Sequence, residues 1–92
     1  MNVKEAVRLA KQHILDLFAE EKVTNLGLEE VEFDEHANEW IVTLGFSRPW
    51  DEPRNPLAAL TQTLYVRRTY KVVRVASGSE QVLSVKTHEV KQ

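Results

Sequence analysis

The stretch from Glu39 to Ser47, EWIVTLGFS, constrains this chain more than any other. Trp40, Val42, Leu44 and Phe46 recur at spacing two, which aims four large apolar side chains at one face of an extended strand and leaves Ile41, Thr43 and Gly45 on the other. Such a face needs an apolar surface laid against it, and the N-terminus supplies one. Val3, Ala6, Val7, Ala10, Ile14, Leu17 and Phe18 recur at helical spacing, with Leu9 and Leu15 widening the stripe, while Lys4, Arg8, Lys11, Gln12 and Asp16 hold the solvent side. Asn2 is suited to cap this helix, and Glu5 sits where a capping-box side chain reaches back to free amides. The pattern predicts a helix over about 3–21, closed by β-branched Val23 and Thr24 and the turn formers Asn25 and Gly27. Trp40 is then expected beneath the helix, sealing a two-layer interior.

The remaining chain reads as strands. Residues 28–34 give a first strand with Val31 and Phe33 inward and Glu30, Glu32 and Asp34 toward water, and polar residues 34–38 turn the chain into the 39–47 strand. Residues 47–63 form a long loop, because Pro49, Pro53 and Pro56 fix φ, remove amide donors and exclude a central strand. Asn55-Pro56 is suited to cap and open a short helix through Leu57, Ala58, Leu60 and Thr61. A second hairpin follows, with strands over about 64–76 and 81–89 around a turn at Ser77-Gly78-Ser79. Val73 and Val75 match Leu83 and Val85 in phase, whereas Tyr70 and Val72 fall on the opposite face, which implies a bulge or a two-sided strand. The expected fold is a single α+β domain spanning residues 1–92, with one N-terminal helix packed on a four-stranded antiparallel β-meander.

The order of a helix, an EEVEFD–EWIVTLGF hairpin and a YKVVRVASGSEQVLSVK hairpin resembles PepSY-like domains and related small bacterial proteins, a two-layer arrangement also similar to cystatins. Residues 1–46 and 69–87 carry the likeness. The last hairpin in that family reads Val-Asp-Ala-x-Thr-Gly-Glu-Val, whereas here Ala76 and Glu80 hold the Asp and Gly positions. The resemblance implies a binding, sensory or peptidase-restraining module, often in secreted or membrane settings, and brings no catalytic residue with it.

Composition narrows the function classes. Ninety-two residues suffice for one core, burying roughly 60–68% of the unfolded surface without external staples. With no cysteine there is no disulfide, thiolate nucleophile or sulfur-based zinc site. Lys4, Glu5, Arg8 and Lys11 interrupt any secretory apolar segment, and the run from Trp40 to Phe46 is too short to cross a bilayer, so a cytoplasmic protein without membrane attachment is expected. The net charge of −2 argues against a general phosphate binder. It divides into −6 over residues 1–60, with six Lys/Arg against twelve acids, and +4 over residues 61–92, with six against two. The two parts are expected to complement one another across a sheet.

Two clusters are candidates for binding. Arg48, Pro49, Trp50, Pro53 and Arg54 place an aromatic between two cations on a stiffened backbone, the composition of a protein-contact loop; the alternative is that Trp50 folds back to cover one end of the sheet, with Arg48 paired to Asp51 or Glu52. Tyr65, Arg67, Arg68, Tyr70, Lys71 and Arg74 interleave cations with aromatics, and Arg68, Tyr70 and Arg74 share one strand face, as in sheets that stack bases. The same charges serve equally to protect a sheet edge. His13, His36 and His88 show no ligand-like spacing, Glu29, Glu30, Glu32, Asp34 and Glu35 read as a solvated strand face, and Ser47, Ser77, Ser79 and Ser84 lack a nucleophile elbow. No cofactor, metal or catalytic site is expected. The sequence therefore points to a non-catalytic module that binds another protein, adaptor or inhibitor in kind, through the proline-rich loop. Nucleic-acid binding through the Arg67–Arg74 strand and homo-oligomeric assembly stand as alternatives.

Overall fold

The first helix forms where its cap dictates. Asn2 is extended, at φ −100° and ψ 173°, and its Oδ1 accepts a 2.9 Å hydrogen bond from the Glu5 amide, satisfying one of the donors that a helix start leaves free. The computed structural model describes residues 1–49 and 68–88. Within them α1 spans Val3–Leu17, a 3-10 turn covers Ala19–Glu21, and β1 (Thr24–Asp34), β2 (Glu39–Ser47), β3 (Thr69–Ala76) and β4 (Gln81–Thr87) follow. The strands form one antiparallel sheet in the order β1-β2-β3-β4, with α1 packed on it, which is the expected α+β architecture.

The α-helix proper stops before residue 21. Phe18 closes it by donating to the Ile14 carbonyl at 3.0 Å, and Lys22 at φ 52° takes the left-handed conformation that turns the chain toward β1. Ala6, Ala10 and Ile14, four residues apart, are the fully buried positions of α1. The two alanines let the helix backbone approach the sheet. Val3, Leu15 and Leu17 are exposed, so the buried stripe is narrower than the sequence pattern, which had placed Val3 and Leu17 within it.

Both hairpins use polar side chains to set the turn. Asp34 Oδ1 accepts from the His36 and Ala37 amides at 3.1 and 3.2 Å, and Asn38 at φ 56° completes the link to β2. At the β3–β4 turn the left-handed residue is Glu80, at φ 57°, and not Gly78. The two turns lie side by side, with the Ser77 amide donating to the Asn38 carbonyl at 3.1 Å.

Irregularity sits on the outer strands. The β2–β3 register runs unbroken from Glu39↔Ala76 to Phe46↔Thr69, so Tyr70 and Val72 belong to an ordinary two-sided strand. In β4 the pairs Arg74↔Ser84 and Val75↔Val82 leave Leu83 unmatched. This bulge turns Val82 and Val85 to the core and Leu83 to solvent, which corrects the expected pairing of Leu83 in phase with Val85. β1 begins at Thr24, ahead of the expected residue 28, and reaches a regular ladder only after shifts at Thr24/Gly27 and Leu28/Glu30.

The core comprises Ala10, Ile14, Val42, Leu44, Phe46, Val73 and Val75. Phe46 is fully buried and meets Phe18 with ring centroids 5.6 Å apart. Trp40 packs at the rim, half-buried, against a partly exposed Phe33 at 4.8 Å, so β2 is one of the two inner strands and Phe46, in place of the expected Trp40, is its most deeply buried aromatic. The expected loop beyond Pro49, the short helix from Asn55, and the strand portion at 64–67 lie outside the described residues. No helix among the described residues is long and apolar enough to cross a membrane.

Candidate functional site

Directly paired residues of an antiparallel sheet share a face, so the register assigns the sheet surface opposite α1. It carries Glu30, Glu32 and Asp34 from β1, Glu39, Ile41, Thr43 and Gly45 from β2, Tyr70, Val72 and Arg74 from β3, and Ser84 and Lys86 from β4. At its centre lies a shallow depression of about 260 Å³ lined by Glu30, Glu32, Ile41, Thr43, Val72 and His88. Ile41 and Val72 give it an apolar floor. Thr43 is 9% exposed and makes no side-chain hydrogen bond among the described residues.

Ion pairs bracket this depression. Arg74 Nη1 donates to Glu39 Oε1 at 3.2 Å and lies 3.9 Å from Asp34 Oδ2. Arg68 Nη2 lies 3.6 Å from Glu29 Oε1 and donates to the Asn25 carbonyl at 3.0 Å. Gly45 makes room for the second group: a Cβ there would stand 2.9 Å from Glu29 Oε1, 3.0 Å from Arg68 Nη2 and 3.0 Å from the Tyr70 ring. Between the two brackets β3 presents Val72 and no cation. Glu30 and Glu32 consequently form no ion pair among the described residues.

The sequence candidates separate in space. Arg68, Tyr70 and Arg74 share the open face as strand alternation required, but both arginines are engaged by carboxylates of β1 and β2. Lys71 points the other way; its Nζ donates to Thr87 Oγ1 at 2.9 Å and lies 5.6 Å from the Phe18 ring centroid. Arg48 is drawn back onto the helix end, its guanidinium 5.1 and 5.3 Å from the Phe18 and Phe46 centroids and 3.3 Å from Glu21 Oε1. Pro49 is exposed beside it. Trp50, Pro53, Arg54, Tyr65 and Arg67 lie outside the described residues.

Sequence reasoning missed the depression, although its alternating residues Ile41, Thr43 and Val72 were visible as the non-core phase of β2 and β3. Among the described residues no group of three His, Asp or Glu side chains is close enough to hold a metal ion. Glu30 and Glu32 stand two apart on a strand, about 7 Å along it, on the same face. Comparison with known proteins gives no matching family model, no matching curated protein and no matching solved structure.

Proposed function

We propose that this chain is a small non-catalytic protein-binding module of the cytoplasm, contacting its partner through the proline-rich segment that includes Trp50 and Arg54. The observation that supports protein over nucleic acid is the engagement of the β3 cations: Arg68 with Glu29, Arg74 with Glu39 and Asp34, and Lys71 with Thr87. A phosphate-binding sheet needs cations free to displace counterions, and these are neutralised within the fold or hydrogen-bonded to it. Arg48 supports the same reading from the root of the segment. Held by Glu21 and two phenyl rings, it fixes the point from which the chain leaves β2.

The experiment uses the two tryptophans separately. Trp40 Nε1 is buried without a hydrogen-bond partner among the described residues, so Trp40→Phe removes no polar contact and leaves Trp50 as the sole tryptophan. In that background Trp50 emission is expected to be that of a solvated indole and to shift blue in the presence of captured partner. Trp50→Ala in the wild-type background should leave the melting temperature within about 2 °C while abolishing capture. A large fall in melting temperature would assign Trp50 to the core and end this reading. Salt-sensitive retention on a single-stranded oligonucleotide would favour nucleic acid instead.

A further inference from the structure

The open sheet face carries an unfinished row of charge. On β1, Glu29 and Asp34 meet Arg68 and Arg74, but the two acids between them, Glu30 and Glu32, form no ion pair among the described residues, because β3 offers Val72 in the interval. The floor beneath these carboxylates is Ile41 and Val72, and the nine-tenths-buried Thr43 lines it with a hydroxyl that has no partner among the described residues. We propose that the depression bounded by Glu30, Glu32, Thr43 and His88 receives an arginine side chain from a basic segment of a partner protein.

Charge and shape select this occupant. A guanidinium is planar and carries five donors, so a single group reaches both carboxylates and still serves the Thr43 hydroxyl, whereas an ammonium is a point charge. The methylene stem of the same side chain covers Ile41 and Val72, the apolar floor that a small cation would leave in water. A volume of about 260 Å³ is adequate for one such side chain and too small for a folded element. The Arg68–Glu29 pair is neutral and Arg74 offsets one of its two carboxylate partners, Glu39 and Asp34, so the charge that attracts the segment lies on Glu30 and Glu32 and on the Asp34 end beside them. Lys86, across the sheet on the Glu30 row, disfavours a ligand that extends its charge toward β4.

The probe is the capped pentapeptide acetyl-Arg-Leu-Arg-Leu-Arg-amide, titrated into the ¹⁵N-labelled full chain. Saturable shifts are expected at the amides of Ile41, Thr43, Val72 and His88. Glu30→Gln combined with Glu32→Gln should weaken the fitted affinity about tenfold or more. Asp16→Asn with Glu20→Gln, which removes the same charge from the helix side, should leave the affinity unchanged. Thr43→Val, a β-branched isostere that keeps the strand, should weaken it about threefold to tenfold with the spectrum otherwise preserved. The proposal is overturned if no shift saturates, if the shifts map to α1, or if both charge-removal variants bind equally. Equal binding of the citrulline peptide would remove the charge argument, and equal binding of spermidine with the same shift map would make this a polyamine site. A concentration-dependent doubling of mass by light scattering, reversed by the Glu30→Gln, Glu32→Gln pair, would assign the face to a second copy of the chain instead.

Discussion

The helix-covered face of the sheet and the face behind it are built from alternate residues of the same strands, and they answer different demands. On the covered side Val42, Leu44, Phe46, Val73 and Val75 are fully buried against Ala10 and Ile14, and the stabilisation comes from area removed from water. On the other side Arg68–Glu29 and Arg74–Glu39 tie strands together through charges that remain partly exposed, with a polar-rimmed depression between them. An apolar core tolerates no vacancy, whereas a charged face can leave two carboxylates over. The difference lets one sheet put its apolar stabilisation on one side and its charged groups on the other.

The largest test of that division is Phe46→Ala. Phe46 is fully buried and packed against the tilted Phe18 ring, so the loss should be about 3–5 kcal/mol by urea denaturation, a large part of the stability of a domain this size. Arg48 also rests over the Phe46 ring, so the substitution should loosen the root of the proline-rich segment as well. If Phe46→Ala were as mild as a surface substitution, the distinction between the faces would fail.

Gly45→Ala probes the open face at its tightest point. A methyl group at 45 displaces the ends of Glu29 and Arg68, which can swing away, and presses on the Tyr70 ring, which is stiffer. A destabilisation of about 1–2 kcal/mol is expected. In an Arg68→Met background the same substitution should lose less, because one of the three crowded groups is relieved and the ion pair is already gone. A double-mutant cycle measures the coupling, and additive losses would show that Gly45 answers only to Tyr70.

How far this arrangement could be read in the sequence depends on whether the physics was local. The period-two run from Trp40 to Phe46 and the Ala6, Ala10, Ile14 spacing are properties of short windows, and they specified helix-on-sheet correctly. The depth order along β2 was not local. Trp40 is the largest side chain, but the side chains that bury Phe46 come from the end of α1, and only the docked helix reveals that Phe18 lies there. The bulge at Leu83 was hidden for a similar reason: Leu83 and Val85 look alike to a pattern, and the shift appears only in the pairing with Arg74 and Val75. The contrast between Glu29, which is paired, and Glu30 and Glu32, which form no ion pair among the described residues, is set by register across three strands. Five carboxylates in seven residues gave no hint of which would be left over.

Arg74→Met separates the electrostatic contribution from packing. Glu39 is the less exposed partner of Arg74, and loss of the guanidinium leaves it without its 3.2 Å contact, at a cost of about 1 kcal/mol. Since both groups are partly solvated, the difference from wild type should shrink between low salt and 1 M salt. Phe46→Ala should show no such salt dependence, and a salt-independent Arg74→Met would place the arginine's value in its methylene stem.

The smallest effect should come from a residue that belongs to neither face. Glu80 holds a left-handed conformation at φ 57° in the β3–β4 turn, at the position where the PepSY-like pattern has glycine. A side chain there costs about 1 kcal/mol of steric strain, and glycine returns part of it as extra freedom in the unfolded chain, so Glu80→Gly should stabilise by about 0.5 kcal/mol. The gain should appear as a rise in melting temperature with an unchanged urea slope. Because Val82 and Val85 pack against the core while Leu83 is exposed, the amide shifts of Val82, Leu83 and Val85 should stay fixed under the substitution. If they move, the bulge is imposed by a strained turn; if they hold while stability rises, it is set by the demand of Val82 and Val85 for the core.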